Sequence, residues 1–374
     1  MTDDPALDPR GTWIGRVDRP GIGPCLVTLR DGQLHDITGR AAPTVRDVLE
    51  ADDPVSHVAG ARGEAIGPPD APDGWSWLAP CDLQPVKASG VTFAGSMVER
   101  VIEEQAAGDA GRAAEIRARI GARIGDSLSG IVPGSDHAMR VKAALQDEGL
   151  WSQYLEVGIG PDAEVFSKAQ ALAAVGHGAA VGVHPMSNWN NPEPEVVLAV
   201  DSRGAIRGAA LGNDVNLRDV EGRSALLLSK AKDNNASCAI GPMIRLFDDD
   251  FDLDTVKGLT VRLRVEGAQD GFVLDGSSAM AAISRDPADI VAQTIGRHHQ
   301  YPDGFMLFLG TLFAPTQDRD APGQGFTHKA GDAVTLSCAE LGTLRNVVMP
   351  CTECPPWTFG TAALMRNLAG RGLL

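Results

Sequence analysis

Basic charge is in short supply in this sequence beside its acidic charge. Across 374 residues, 33 Lys and Arg stand against 49 Asp and Glu, a formal net charge of −16. Nucleic-acid phosphates are held by basic faces, so no nucleic-acid partner is expected. Aromatic residues amount to 5%, and no basic stripe studded with aromatics occurs. No apolar run reaches the eighteen residues that a membrane-spanning helix needs, so no membrane partner is expected. The opening stretch "MTDDPALDPRGTW" is acidic and lacks the basic and apolar regions of a signal peptide. A cytoplasmic location is therefore the expectation. Cysteine is sparse too, with six in the chain. Cys351 and Cys354 form one C-x-x-C without the second pair that a structural zinc requires and without a βαβ setting for redox work. Reduced, inert thiols are expected.

What the chain does have is 43% hydrophobic residues, enough for a sizeable core, and a length comfortable for two domains. Residues 1–84 read as a small β-rich unit. The runs "TWIGRVD", "GPCLVTLRDG" and "LHDITG" are strand-like, and "TVRDVLEADDP" is a short helix stopping before Pro54. The loop "GPPDAPDGW" leads to a boundary near 80–87, and residues 85–374 form the second unit. Helical spacing of Met97, Val98, Val101 and Ile102 predicts helices after residue 92, and "DHAMRVKAALQDEGLWSQYL" predicts another. From Tyr154 the pattern turns to strands, beginning with "EVGIG". The C-terminal "WTFGTAALMRNLAGRGLL" predicts a closing amphipathic helix that ends at Gly370.

The stretch "WNNPEPEVVLAVD" raises the functional question. Glu193 and Glu195 lie two apart at the mouth of an apolar strand, and side chains two apart share a face. A hairpin folded about Arg203 pairs Glu195 near Leu211 and Glu193 near Asn213. That register brings Asp214 within a residue or two of both glutamates. Three converging carboxylates repel one another unless a cation or protons intervene. Hard oxygen ligands suit Mg²⁺ or a similar ion, and a solvated acidic cluster is the alternative. Arg218, Lys230 and Lys232 follow, cations suited to a carboxylate or an enolate.

In order, the segments "NPEPEVVLAV", "LGNDVNLRD", "KAKDNNASCAIGP", "FLGT" and "KAGDAVTLSCAELGTLRN" resemble the fumarylacetoacetate hydrolase superfamily over roughly residues 85–350. The family's pattern is E-x-E, then N-D-x-S-x-R-D, a lysine nine residues ahead of Gly-Pro, a G-T element and a G-D…G-x-L-x-N run. The resemblance implies an α+β fold, a mixed β-sheet roll or sandwich with a small β-rich N-terminal domain. It implies that Glu193, Glu195 and Asp214 hold Mg²⁺, with Mn²⁺ also accepted by that oxygen set. Arg218 and Lys232 would be active-site residues, Thr311 would contact substrate, and Lys168 in "EVFSKAQ" would line the pocket. A homodimer or homotetramer is implied as well.

One departure redirects the chemistry. Hydrolytic members carry N-Y-x-x-H-x-x-E, whose His and Glu activate water. Here the matching stretch is "VTFAGSMVE": Thr92 and Phe93 replace Asn and Tyr, Ser96 replaces His, and Glu99 keeps the Glu. Glu221 stands where some hydrolases have glutamine. The longer string "PDAEVFSKAQ…HPMSNWNNPEPEVVLAVDSRG…AKDNNASCAIGP" resembles the dehydratase branch that acts on 2-keto-3-deoxypentonates. The implied reaction is metal-dependent dehydration of this small 2-keto sugar acid to 2,5-dioxopentanoate. Cleavage or decarboxylation of an acylpyruvate or 2,4-diketo acid is the alternative. Lys232 and Glu99 are the candidate base and acid, unassigned between them, and a Schiff base at Lys232 is a competing role. Ser96 is a candidate for binding substrate, and Ser187, Asn188 and Asn190 are candidates for hydrogen-bonding its hydroxyls or for capping the turn before Pro192. His184 and the pair His298 and His299 read as structural.

Overall fold

The computed structural model describes residues 5–118, 130–147, 149, 151–313 and 315–374. The fold is α+β, and the hairpin anticipated from the E-x-E stretch lies at its centre. Strand Pro194–Val200 is buried at every position and pairs antiparallel with Ile206–Asp214. The run "VVLAV" has no polar face because both of its faces are covered. Val196, Leu198 and Val200 enter one apolar cluster, while Val197 and Ala199 enter another. Each such side chain, fully buried, is worth roughly 1.5–3 kcal/mol.

Around the hairpin runs a long sheet. From one edge its strands are Glu64–Gly67, Gln33–Asp36, Gly23–Arg30, Trp13–Arg19, Cys238–Leu246, Ile206–Asp214, Pro194–Val200, Phe305–Phe308, Val86–Gly90 and Glu164–Ala169. Neighbours are antiparallel except Phe305–Phe308 beside Val86–Gly90, which is parallel. A second sheet of five strands contributes Val261, Leu263, Val265, Leu336 and Val348 to the cluster that holds Val196 and Leu198. The two sheets thus share one core, as a sandwich does. Trp13 and Ile14 pair with Arg245 and Ile244, so the long sheet continues across the turn-rich loop near residue 84.

Two local outcomes differ from the sequence pattern. "EVGIG" lies in helix Gln153–Ile159, not in a strand. Ser152 caps it by accepting from Tyr154 N, and Tyr154, Leu155 and Ile159 are buried together with Met97 and Val101. The first short helix, Val45–Leu49, already ends at Glu50, and Pro54 instead starts the next, Pro54–Gly60, with Asp53 as its cap. Proline is at home in a first helical turn, where its missing N–H costs nothing. The closing helix runs Thr361–Gly370 as expected, and Asn367 and Arg371 bond to Ile22 O and Pro24 O.

Candidate active site

The central hairpin turns about Arg203, and Val200 pairs with Ile206 as a turn there requires. Ala199 then pairs with Gly208, so Arg207 is an extra residue, a β-bulge. Beyond it the register is one residue further along than the plain hairpin predicts. Glu195 faces Gly212, Pro194 faces Asn213, and Asp214 N donates to Glu193 O at 3.1 Å. That slip carries Asp214 level with Glu193. Oxygens of Glu193, Glu195 and Asp214 come within 4.8 Å of one another, and all three residues are buried.

Cations stand against two of the three. Lys232 Nζ lies 2.5 Å from Glu193 and 3.1 Å from Asp214. Lys168 Nζ is 2.8 Å from the other Asp214 oxygen and donates to Val215 O and Lys232 O. Arg100 Nη2 is 2.6 Å from Glu193. Glu195 has the Gly310 N–H at 2.7 Å and, among the described residues, no ion pair. Burial pushes its pKa well above the usual carboxylate range, and Asp214 and Glu193 push the same way. For Asp214, Lys168 and Lys232 outweigh burial and pull the carboxyl below its ordinary value. Burial also opposes the charge of Lys232, yet Asp214, Glu193 and Glu221 hold the ammonium above its ordinary pKa.

The opposite wall is one face of helix Ala94–Ala106. Ser96, Glu99, Arg100 and Glu103 follow the i, i+3, i+4, i+7 spacing of a single helix face, and all line the same cleft as the carboxylates. The other face buries Met97 and Val101. Glu99 is held by Arg117 at 2.8 and 2.5 Å and by Arg218 at 3.5 Å. Arg218 bonds Glu103 at 2.6 Å, donates to Pro315 O and stacks on Trp189. Arg100 links Glu103, Glu193 and Glu221. Ser96 Oγ donates to Phe93 O. Asn191, Asn216, Phe166, Thr311 and Phe313 also line the cleft. Six carboxylates line it (Glu99, Glu103, Glu193, Glu195, Asp214, Glu221) against three cations (Arg100, Arg218, Lys232). An excess of buried negative charge favours binding a cation, and hard oxygen donors fit Mg²⁺ or Mn²⁺.

The remaining sequence candidates separate into cleft and scaffold. Thr311 lines the cleft. Lys168 is fully buried behind Asp214 and does not line it. Ser187 and Asn188 bond Asp219, and Asn190 bonds Ser187 and His328 N, which ties the loop before the hairpin. His184 Nδ1 accepts from Met186 N, and His298 Nε2 contacts Gln293 O. No histidine lines the cleft, and all six thiols are free and buried.

Glu164 is the residue that sequence reasoning passed over. Glu164, Phe166 and Lys168 alternate on strand Glu164–Ala169 and so share one face. Phe166 forms cleft wall, with Lys232 Nζ 5.8 Å from its ring centre. Glu164 pairs with Gly90, where an added Cβ would collide with the Glu164 carboxylate. The carboxylate makes no hydrogen bond or ion pair with the described residues. Burial raises its pKa to about 7, helped by Glu221 and opposed by Arg100 and Lys232. The alternation of "EVFSK" was the available signal, since Lys168 was already a candidate.

Fold and site together define an α+β protein whose centre is a buried set of three carboxylates on a bulged hairpin. The fumarylacetoacetate hydrolase C-terminal family model matches residues 155–349, and the chain belongs to that family. It is 32% identical over 185 residues to 2-dehydro-3-deoxy-D-arabinonate dehydratase of Saccharolobus solfataricus, covering 50% of this chain and 58% of that protein. A probable 2-keto-3-deoxyxylonate dehydratase of Haloferax volcanii is 29% identical over 215 residues, 58% of this chain and 70% of the relative. Among solved structures, 2-keto-3-deoxy-D-arabinonate dehydratase complexed with magnesium and 2,5-dioxopentanoate has a TM-score of 0.64 at 21% identity. That match covers 90% of this chain and 99% of the other. Fumarylacetoacetate hydrolase from Exiguobacterium antarcticum follows with a TM-score of 0.55 at 17% identity, covering 91% and 99%. At these identities the structural matches establish the fold.

Proposed function

We propose that the protein is a divalent-metal-dependent hydro-lyase converting a 2-keto-3-deoxypentonate to 2,5-dioxopentanoate and water. The observation that carries the reading is the buried Glu193, Glu195 and Asp214 set with Lys232 against it, in a cleft without histidine. The two dehydratase relatives support the substrate class. Glu193, Glu195 and Asp214 would hold Mg²⁺, the ion bound with 2,5-dioxopentanoate in the arabinonate dehydratase structure. When bound, the ion supplies Lewis acidity at the 2-keto acid end of the substrate.

The chain's own residues then move protons. One C3 proton leaves and the C4 hydroxyl departs as water after gaining a proton. A C5 proton then moves to C3, and the resulting C4–C5 enol gains a proton at C4 and loses its hydroxyl proton to become the aldehyde. Lys232 and Glu164 are the two proton carriers. Glu164 makes no ion pair with the described residues, and burial pushes its pKa up to about 7, suited to a general acid or base. Glu99 is clamped by Arg117 and Arg218 and serves to position Arg218. Thr311 and Ser96 border the substrate, and Lys168 steadies Asp214 from behind. Diketo-acid cleavage needs an activated water, and nothing in the cleft reproduces the His–Glu pair for making one. The resemblance implies a dimer or tetramer, which light scattering resolves.

The test follows 2,5-dioxopentanoate through a coupled semialdehyde dehydrogenase, with both enantiomers of 2-keto-3-deoxypentonate as substrates. Turnover with Mg²⁺ that vanishes with EDTA and in Glu195→Gln is expected. Absence of turnover on both enantiomers, with metal bound, would overturn the reading in favour of diketo-acid cleavage.

A further inference from the structure

Two short strands, Asn190–Asn191 and Asn216–Leu217, pair so that Asn191 lies directly opposite Asn216. Directly opposed residues project to one face. The alternation of each strand carries that face into the cleft: Asn191, Glu193 and Glu195 line it from one side, Asp214, Asn216 and Arg218 from the other. The two asparagines therefore sit one alternation from the metal-binding carboxylates, roughly 6–7 Å along the strand at about 3.3 Å per residue.

Their hydrogen bonding is incomplete. Asn216 is fully buried, and among the described residues neither its amide oxygen nor its amide nitrogen has a partner. Asn191 is also buried; its nitrogen donates to Pro192 O at 2.8 Å, and its oxygen has no partner among the described residues. Buried polar groups are normally satisfied, and leaving one unpaired costs about 1–3 kcal/mol. Two acceptors and one donor thus remain unused where the cleft is lined. A carboxylate offers only acceptors and would leave both amide oxygens unmet. A hydroxyl donates to one of the amide oxygens and accepts from the Asn216 amide N–H, and a second hydroxyl beside it donates to the other oxygen.

We infer that Asn216, with Asn191, binds a hydroxyl on the tail of the substrate and selects hydroxylated 2-oxo acids over unsubstituted ones. This rests on the proposed reading, in which the 2-keto acid end lies at the carboxylates and the C4 and C5 hydroxyls extend away from them. The pair would be a specificity determinant and not part of the proton-transfer machinery.

The experiment compares two probes in the presence of Mg²⁺. Pyruvate has the 2-oxo acid end without a hydroxyl, and 2-keto-3-deoxypentonate has both. Affinities of the full chain for each are measured by calorimetry, on ice with the pentonate so that binding precedes turnover, and KM and kcat are followed separately. In Asn216→Ala the pentonate is expected to bind about tenfold more weakly while pyruvate changes less than twofold. KM rises with that loss and kcat falls less. Asn216→Ser, which keeps one hydroxyl, recovers part of the selectivity and guards against an alanine variant that does not fold. Equal weakening of both probes, or none, in whichever variant melts like the parent, overturns the inference. A parent protein that binds the pentonate selectively through Asn216 but forms no 2,5-dioxopentanoate leaves the inference standing and removes the dehydratase reading instead.

Discussion

Among the three carboxylates, Glu195 is the one without a cation of its own. Glu193 has Lys232 and Arg100, and Asp214 has Lys168 and Lys232, whereas Glu195 has one backbone N–H. Burial and two neighbouring acids disfavour its charge, so the fold carries a cost here that function requires. Glu195→Gln should therefore raise the stability of the EDTA-treated protein by about 0.5–2 kcal/mol while abolishing Mg²⁺-dependent turnover. Calorimetric melting at pH 7.5 with a parallel activity assay reads both. Glu164 makes a second prediction. Its pKa is raised to about 7 by burial and by Glu221, so the folded state favours its neutral form. The associated stability is fully present below the ordinary carboxyl pKa and is lost as pH rises through 7. Metal-free protein should lose stability between pH 5 and 8, and Glu164→Gln should flatten that slope in urea titrations. An unchanged slope would show that Glu164 is ionised in the fold.

At the scale of elements, the hairpin explains why so much of the site could be read in advance. Period-two alternation places Glu193 with Glu195, a turn about Arg203 brings Asp214 back, and neither needs knowledge of distant residues. The bulge at Arg207 was not legible, because bulges answer to the packing of neighbouring strands. The Cβ of a residue at Gly208 would collide with Arg245 O on the next strand. Glu164 escaped for a related reason: its setting depends on pairing with Gly90, 74 positions earlier. "EVGIG" was misread because a serine cap and burial against the Ala94–Ala106 helix override its strand-like composition. Close packing behind the hairpin gives the prediction for this scale. Gly212 faces Glu195, and a Cβ there would collide with the Phe308 ring and Val197. Gly212→Ala should cost about 1–3 kcal/mol by overpacking and weaken Mg²⁺ binding with it, as urea denaturation and metal titration would report.

For the whole molecule, the continuity of the long sheet matters most. Residues 1–84 form a compact stretch of chain, and we propose the division at 84 as one of sequence and not of stability. Trp13 and Ile14 pair with Arg245 and Ile244, and Ile14 is buried beside Ile240 and Ile244. Removing residues 1–84 would expose strand Cys238–Leu246 as an unpaired edge, a template for aggregation. The truncated chain 85–374 should accordingly be insoluble or melt far below the full chain, as size-exclusion chromatography and melting would show. A soluble, equally stable fragment would establish two independently folding domains. Among the described residues, no helix is long and apolar enough to cross a membrane.

The extra residue at Arg207 makes the stretch between the two acidic positions a matter of chain length as much as chemistry. Were that one residue deleted, every later side chain of the strand would exchange faces. Asp214 would turn into the apolar layer that now holds Leu211 and Val215, and Val215 would take its place in the cleft. Substitutions between Ser202 and Gly208 leave the count intact, whereas a single lost codon would convert the acidic centre into a greasy wall. In this family member, the reading frame of the sheet is itself an active-site component.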